Sequence, residues 1–160
     1  MQDTVLRGSG HDWAEDAFRT VAPRLWRALL LYSGSADVAN DAVSEAFTQA
    51  MGSRREIRDP SAWIWTTAFK IAAGEMARGG DHVEPPDLPI PDGVDPASLM
   101  DLMSALRRVS DMQRRALILR HYMGYSNVEI ARILGSTPSS IGVQLFRATR
   151  RLRALLSEER

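Results

Sequence analysis

The stretch SNVEIARILGSTPSSIGVQLFRATRRLR, residues 126–153, gathers the side chains of this chain best suited to gripping a polyanion. Laid out at helical spacing, Ile141, Leu145, Ala148, Leu152 and Leu155 fall along one side. Ser139, Ser140, Gln144, Phe146, Arg147, Arg150 and Arg151 fall along the other. The outward set has the chemistry to read a duplex: a Gln144 amide can bond adenine, Phe146 or Val143 can pack on a thymine methyl, and Arg147 can take a guanine edge or a phosphate. At the helix start, free amide hydrogens of Ser139 and Ser140 could hold a phosphate without a cation. Gly142, Val143 and Gln144 add no positive charge, so few phosphates are neutralised and a shallow salt dependence is expected. The alternative for the same residues is a structural bundle with solvated arginines.

Other chemistries find no constellation. The chain has no cysteine, which excludes disulfides, thiolate zinc sites and thiol catalysis. His11, His82 and His121 are scattered without metal-ligand spacing. There is no glycine-rich phosphate loop and no nucleophile elbow. The expectation is a protein that binds rather than catalyses, with no cofactor and no metal.

The elements that must position the outward face are helices. Ile130 and Ala131, then Leu134 and Gly135, fall where a helix-turn-helix needs them. Ala131 lets the second helix cross closely, Gly135 can take a positive φ, and Thr137 with Pro138 can cap and start the second helix. Further helices are expected over 12–33, where Pro23 should kink the chain or mark a new start, and over 35–51, with Ser35 as N-cap. Others are expected over 59–78, with Asp59 and Pro60 at its start and Gly79 at its stop, and over 97–109, 111–123, 127–134 and 137–156. No period-two pattern suggests a strand. The expected fold is therefore all-α: two small helical domains joined by a flexible linker, the second a helix-turn-helix domain.

The boundary lies in GGDHVEPPDLPIPDGVDPAS, residues 79–98, with five prolines, three glycines and five acidic residues. Such a segment cannot hold a helix and has too little apolar surface to fold alone. The expected division is 1–78, an acidic proline-rich linker over 79–98, and 99–160. The formal net charge of zero hides an asymmetry. Residues 1–78 carry 9 basic and 10 acidic residues, whereas residues 99–160 carry 11 arginines and 5 acids. Only the C-terminal part has a strong electrostatic reason to approach nucleic acid. No apolar run is long enough to span a membrane, and the opening MQDTVLRGSGHDW lacks the order of a signal peptide. A cytoplasmic location is expected.

SDMQRRALILRHYMGYSNVEIARILGSTPSSIGVQLFRATRRLR resembles region 4 of the extracytoplasmic-function sigma factors, and AFRTVAPRLWRALL, ANDAVSEAF and DPSAWIWTTAFKIAAGEMAR resemble region 2. Two motifs in the right order, joined by a linker, cover most of the chain. The resemblance implies a transcription initiation subunit. Region 2 would dock on the clamp helices of core RNA polymerase and open the minus-10 promoter element. Region 4 would dock on the polymerase flap and read the minus-35 element through Ser139, Ser140, Val143, Gln144, Phe146, Arg147, Arg150 and Arg151. Asp41, Glu45 and Phe47 match the clamp-binding positions. Arg54, Arg55 and Arg58, in the loop SRREIRDPSA, together with Trp63, Trp65 and Lys70, match the minus-10 positions; Trp63 and Trp65 have core packing as their alternative. An anti-sigma factor is a further implied partner.

The departures from the family pattern fall at specific positions. Lys70 and Gly74 stand where it has asparagine and aspartate, and Gly142 and Val143 where it has a basic residue and a serine. They leave a second reading open, a stand-alone helix-turn-helix regulator that has lost promoter melting.

Overall fold

The computed structural model describes residues 10–53, 56–79 and 92–158. Among these residues every regular element is helical. They form α1 (Gly10–Ser33), α2 (Ala36–Gly52), α3 (Pro60–Gly79), α4 (Pro96–Leu106), α5 (Asp111–Leu117), α6 (Asn127–Leu134) and α7 (Pro138–Glu158). A single π turn, Ile118–Tyr122, continues α5.

The first three helices make one packed group, with α1 against α2 and α2 against α3. α1 runs on through Pro23 as one helix; the proline faces solvent, where water can meet the carbonyl its missing N–H leaves unbonded. Gly34, with φ 71°, turns the chain out of α1, a conformation that costs other residues a Cβ clash. The Ser35 hydroxyl then accepts from the Val38 amide at 3.3 Å and starts α2. Trp26 Nε1 donates to Asn40 Oδ1 at 2.6 Å, and Phe18 meets Phe47 edge-on at 5.2 Å, so α1 and α2 are pinned at two heights. Asp59 Oδ1 accepts from the Ala62 amide at 3.2 Å and caps α3.

In the second group α5, α6 and α4 pack on α7. Asp95 caps α4 through the Ser98 amide at 3.1 Å, and the Ser98 hydroxyl and amide hold its carboxyl below the ordinary value. Capping boxes start α5 (Ser110 with Gln113) and α6 (Ser126 with Glu129). The sequence pattern had suggested an unbroken α-helix over 111–123. The π turn adds one residue per turn and accompanies burial of four consecutive residues, 116–119, beneath helices on both sides.

The two groups are not separate in this structure. α3 touches α6, while α1 touches α4 and the π turn, and one apolar core runs from Leu25 and Trp65 to Ile130 and Leu155. Most of the linker expected over 79–98 lies outside the described residues; Gly79 belongs to α3, and 96–98 to α4.

Candidate nucleic-acid interface

α6 ends where Gly135 adopts the left-handed conformation, φ 65°. After that turn Thr137 Oγ1 accepts from the Ser140 amide at 3.2 Å, and Pro138 supplies the first helical residue of α7. Ile141, Leu145, Ala148 and Leu155 are buried on the inner side, with Leu152 packed at its margin. Geometry therefore fixes which face of α7 is left over. Ser139, Ser140, Val143, Phe146, Arg147, Arg150 and Arg151 are exposed there, and Gln144 is half-buried.

Phe146 is 64% exposed, too much for a core residue, and the Arg150 guanidinium lies 5.8 Å from its ring centroid. The pair presents a flat apolar surface next to a cation, which suits a thymine methyl beside a phosphate. Two details refine the sequence reading. The Ser140 amide is engaged by Thr137, so it is not a free donor for phosphate. Gln144 Oε1 accepts from Gln113 Nε2 at 3.3 Å, a bond that does not use the donor hydrogens of the Gln144 amide. Gln113 gave no signal in the sequence for this role, because the pair joins two helices.

On the N-terminal group, Asp41 and Glu45 stand exposed four residues apart on α2. Phe47, matched to the same surface in the sequence, is instead 2% exposed and packs under Phe18. Sequence reasoning missed Glu75 of α3, which meets Asp41, with Arg78 near Glu75. Burial, then the neighbouring Asp41 charge, raises the Glu75 carboxyl above its ordinary value, while Arg78 pulls it down. Arg58 and Lys70 are exposed and Trp63 is half-buried; Arg54 and Arg55 lie outside the described residues. Trp65 does not face solvent: it is 0% exposed, stacks 5.7 Å from Phe69 and donates through Nε1 to the Tyr125 hydroxyl at 3.1 Å. Of the two alternatives for this tryptophan, the structure shows the core one. Among the described residues no group of three His, Cys, Asp or Glu could hold a metal ion, and no helix is long and apolar enough to cross a membrane.

A family model described as sigma-70 region 4 matches residues 99–152. The match coincides with α4–α7 and their outward face. Over 165 aligned residues the chain is 27% identical to the RNA polymerase sigma factor CarQ of Myxococcus xanthus, covering 96% of this chain and 94% of that one. This end-to-end likeness takes in both helical groups. The chain is similar to sigma factors of the extracytoplasmic-function type. It is also 27% identical to the sigma factor BldN of Streptomyces coelicolor, over 84% of this chain but only 57% of BldN. Its fold matches that of RpoE from Bartonella quintana, solved with the anti-sigma factor NepR, with a TM-score of 0.72, 24% identity, and coverage of 91% of this chain and 98% of that one. The helix-turn-helix of α6 and α7 lies within the stretch that matches the region 4 model.

Proposed function

We propose that this protein is a sigma factor that joins core RNA polymerase and directs it to start transcription at particular promoters. On this reading α1–α3 form the polymerase-docking and minus-10 unit, and α4–α7 the minus-35 unit. The observation that carries it is the outward face of α7: Arg147, Arg150 and Arg151, with Phe146, stand exposed on a capped helix-turn-helix, beside a half-buried Gln144. Asp41 and Glu45 are the acidic pair for the clamp, with Glu75 and Arg78 at its edge. Arg58, Trp63 and Lys70 are the exposed or part-exposed candidates for the melted strand, and Trp65 holds their helix in place. The protein contributes binding energy and positioning; polymerase does the chemistry. An anti-sigma partner belongs to this reading, as Bartonella quintana RpoE was solved with one.

The reading has a rival, a stand-alone regulator. Gly74 favours it, since the family pattern has an aspartate there and α3 has room for one: a Cβ would meet only the Arg78 Nη1 at 3.7 Å. The test is binding of the full chain to core polymerase, followed by fluorescence anisotropy. Saturable binding that a double charge reversal, Asp41→Lys with Glu45→Lys, weakens at least tenfold supports the initiation subunit. Retained DNA binding without any polymerase binding supports the regulator.

A further inference from the structure

Gln144 stands on α7 one turn after Ser140 and one turn before Arg147, both exposed, yet it is itself half-buried. A bond from α5 holds it: Gln113 Nε2 donates to Gln144 Oε1 at 3.3 Å. Among the α7 residues offered to DNA it alone has a side-chain hydrogen bond to another helix, whereas Phe146 and Arg150 pair with each other. It is therefore the one polar group of that face whose orientation is set before DNA arrives, which spares the cost of ordering it on binding.

A primary amide has a donor end and an acceptor end, and its neighbours decide which end points where. The network here begins at a group with no choice. The Ser110 backbone N–H can only donate, and it donates to Gln113 Oε1 at 3.4 Å. The Ser110 hydroxyl accepts from the Gln113 backbone N–H at 3.2 Å, which completes the capping box of α5. Gln113 Oε1 is thereby committed to Ser110, and Nε2 is the end presented to Gln144. Gln144 meets that donor with Oε1 and keeps both hydrogens of its own Nε2. Turning Gln144 over would set two NH2 groups against each other. Turning both amides over would set Gln113 Nε2 against the Ser110 N–H. Each alternative leaves donors without acceptors, so the cap of α5 dictates the polarity of a side chain on α7.

We propose that Gln113 is a positioning residue that makes Gln144 a donor toward the base it meets, and so sets which bases are accepted there. In the major groove guanine offers the acceptors N7 and O6 and thymine offers O4, whereas cytosine offers the N4 donor. A Gln144 fixed as donor suits guanine and thymine and disfavours cytosine. Adenine stays acceptable: its N7 accepts, and its N6 donor can use the second lone pair of Gln144 Oε1. The inference rests on α7 meeting duplex DNA, which the initiation reading and its rival share.

Gln113→Glu separates positioning from structural support. A carboxylate still accepts from the Ser110 N–H, so the capping box survives. Its other oxygen is also an acceptor, so Gln144 must turn its amide over and offer Oε1 to the base. The added negative charge weakens every duplex alike, which makes the ratio between sequences the quantity to read. Gln113→Met has neither end and leaves Gln144 free to turn.

The experiment selects preferred sites of the full chain, with and without core polymerase, from a random duplex library. Gln144→Ala then identifies the base pair it relaxes, and fluorescence anisotropy measures affinity for all four bases at that position. The expected result for wild type is binding about tenfold weaker with cytosine than with guanine. That order should invert in Gln113→Glu and level out in Gln113→Met, while Gln113→Glu keeps the wild-type thermal midpoint. A Gln113→Glu variant that weakens all four duplexes by one factor would make Gln113 a cap and nothing more, and would overturn the proposal. If Gln144→Ala relaxes no base pair while Arg147→Ala does, the proposal falls and duplex reading by α7 stands. A wild type that selects no sequence in either state ends both.

Discussion

α3 and α7 each carry a large aromatic residue that sequence reasoning offered to nucleic acid, Trp65 with core packing as its alternative, and the fold treats the two in opposite ways. Phe146 of α7 is 64% exposed, whereas Trp65 of α3 is 0% exposed. The difference lies in how many neighbours each helix has. α7 packs on α4, α5 and α6 along one side and leaves the other bare. α3 lies between α1 and α2 on one hand and α6 on the other, so residues on two of its faces are covered. A helix with one partner layer leaves a face for function. A helix between two layers uses even its second apolar face for the core.

This contrast can be broken most forcefully by truncating both rings. Trp65→Ala should cost about 3–5 kcal/mol in chemical denaturation, the range for removing a buried aromatic. Phe146→Ala should leave stability within about 0.5 kcal/mol while weakening DNA binding in a gel shift. Equal losses of stability in the two variants would contradict the contrast.

Arg147→Ala sharpens the α7 side. It should weaken DNA binding by about 1–3 kcal/mol with relaxed sequence preference if it meets a base. If it meets a phosphate, binding should weaken uniformly and the salt slope should drop by about 1. Titrations at several salt concentrations separate the two contacts, and unchanged binding removes Arg147 from the interface.

Smaller changes sharpen the α3 side. Gly74→Ala should stabilise the protein by about 0.5–1 kcal/mol, because a methyl there meets only the tip of Arg78 and the helix loses a flexible residue. A lower thermal midpoint would show that the glycine is needed by the fold. Glu75→Gln should have the smallest effect, read as a change in the pH profile. The folded-state pKa of Glu75 is raised by burial and then by Asp41, so its contribution is fully present below the unfolded pKa. That contribution is lost as pH rises through the folded value. Removing the titration should flatten the stability profile across the carboxylate range, and an unaltered profile would detach Glu75 from Asp41.

The same contrast explains what could be read from residues alone. Local chemistry was legible: Ser35, Asp59 and Thr137 are the caps their types suggested, and Gly135 takes the positive φ that the turn demands. The outward stripe of α7 was legible because a single apolar face leaves a clean period. What escaped depends on contacts between residues far apart in the chain. The burial of Trp65 needs Tyr125, sixty positions away, and the enclosure of Tyr32 needs Asp111 and Arg114. Phe47 was assigned to a surface by its neighbours Asp41 and Glu45, yet in α2 it falls on the side that meets α1. The π turn escaped as well, since it arises where α5 is covered from both sides and no local residue type announces it.

Run-off transcription with purified core polymerase on a library of promoter fragments tests the central claim most directly. The expected result is transcripts that need both this protein and core polymerase, from a subset of fragments sharing two elements about 25 base pairs apart, each element placed over one helical group. Transcripts that do not depend on the protein, or none at all from fragments it demonstrably binds, would contradict the claim.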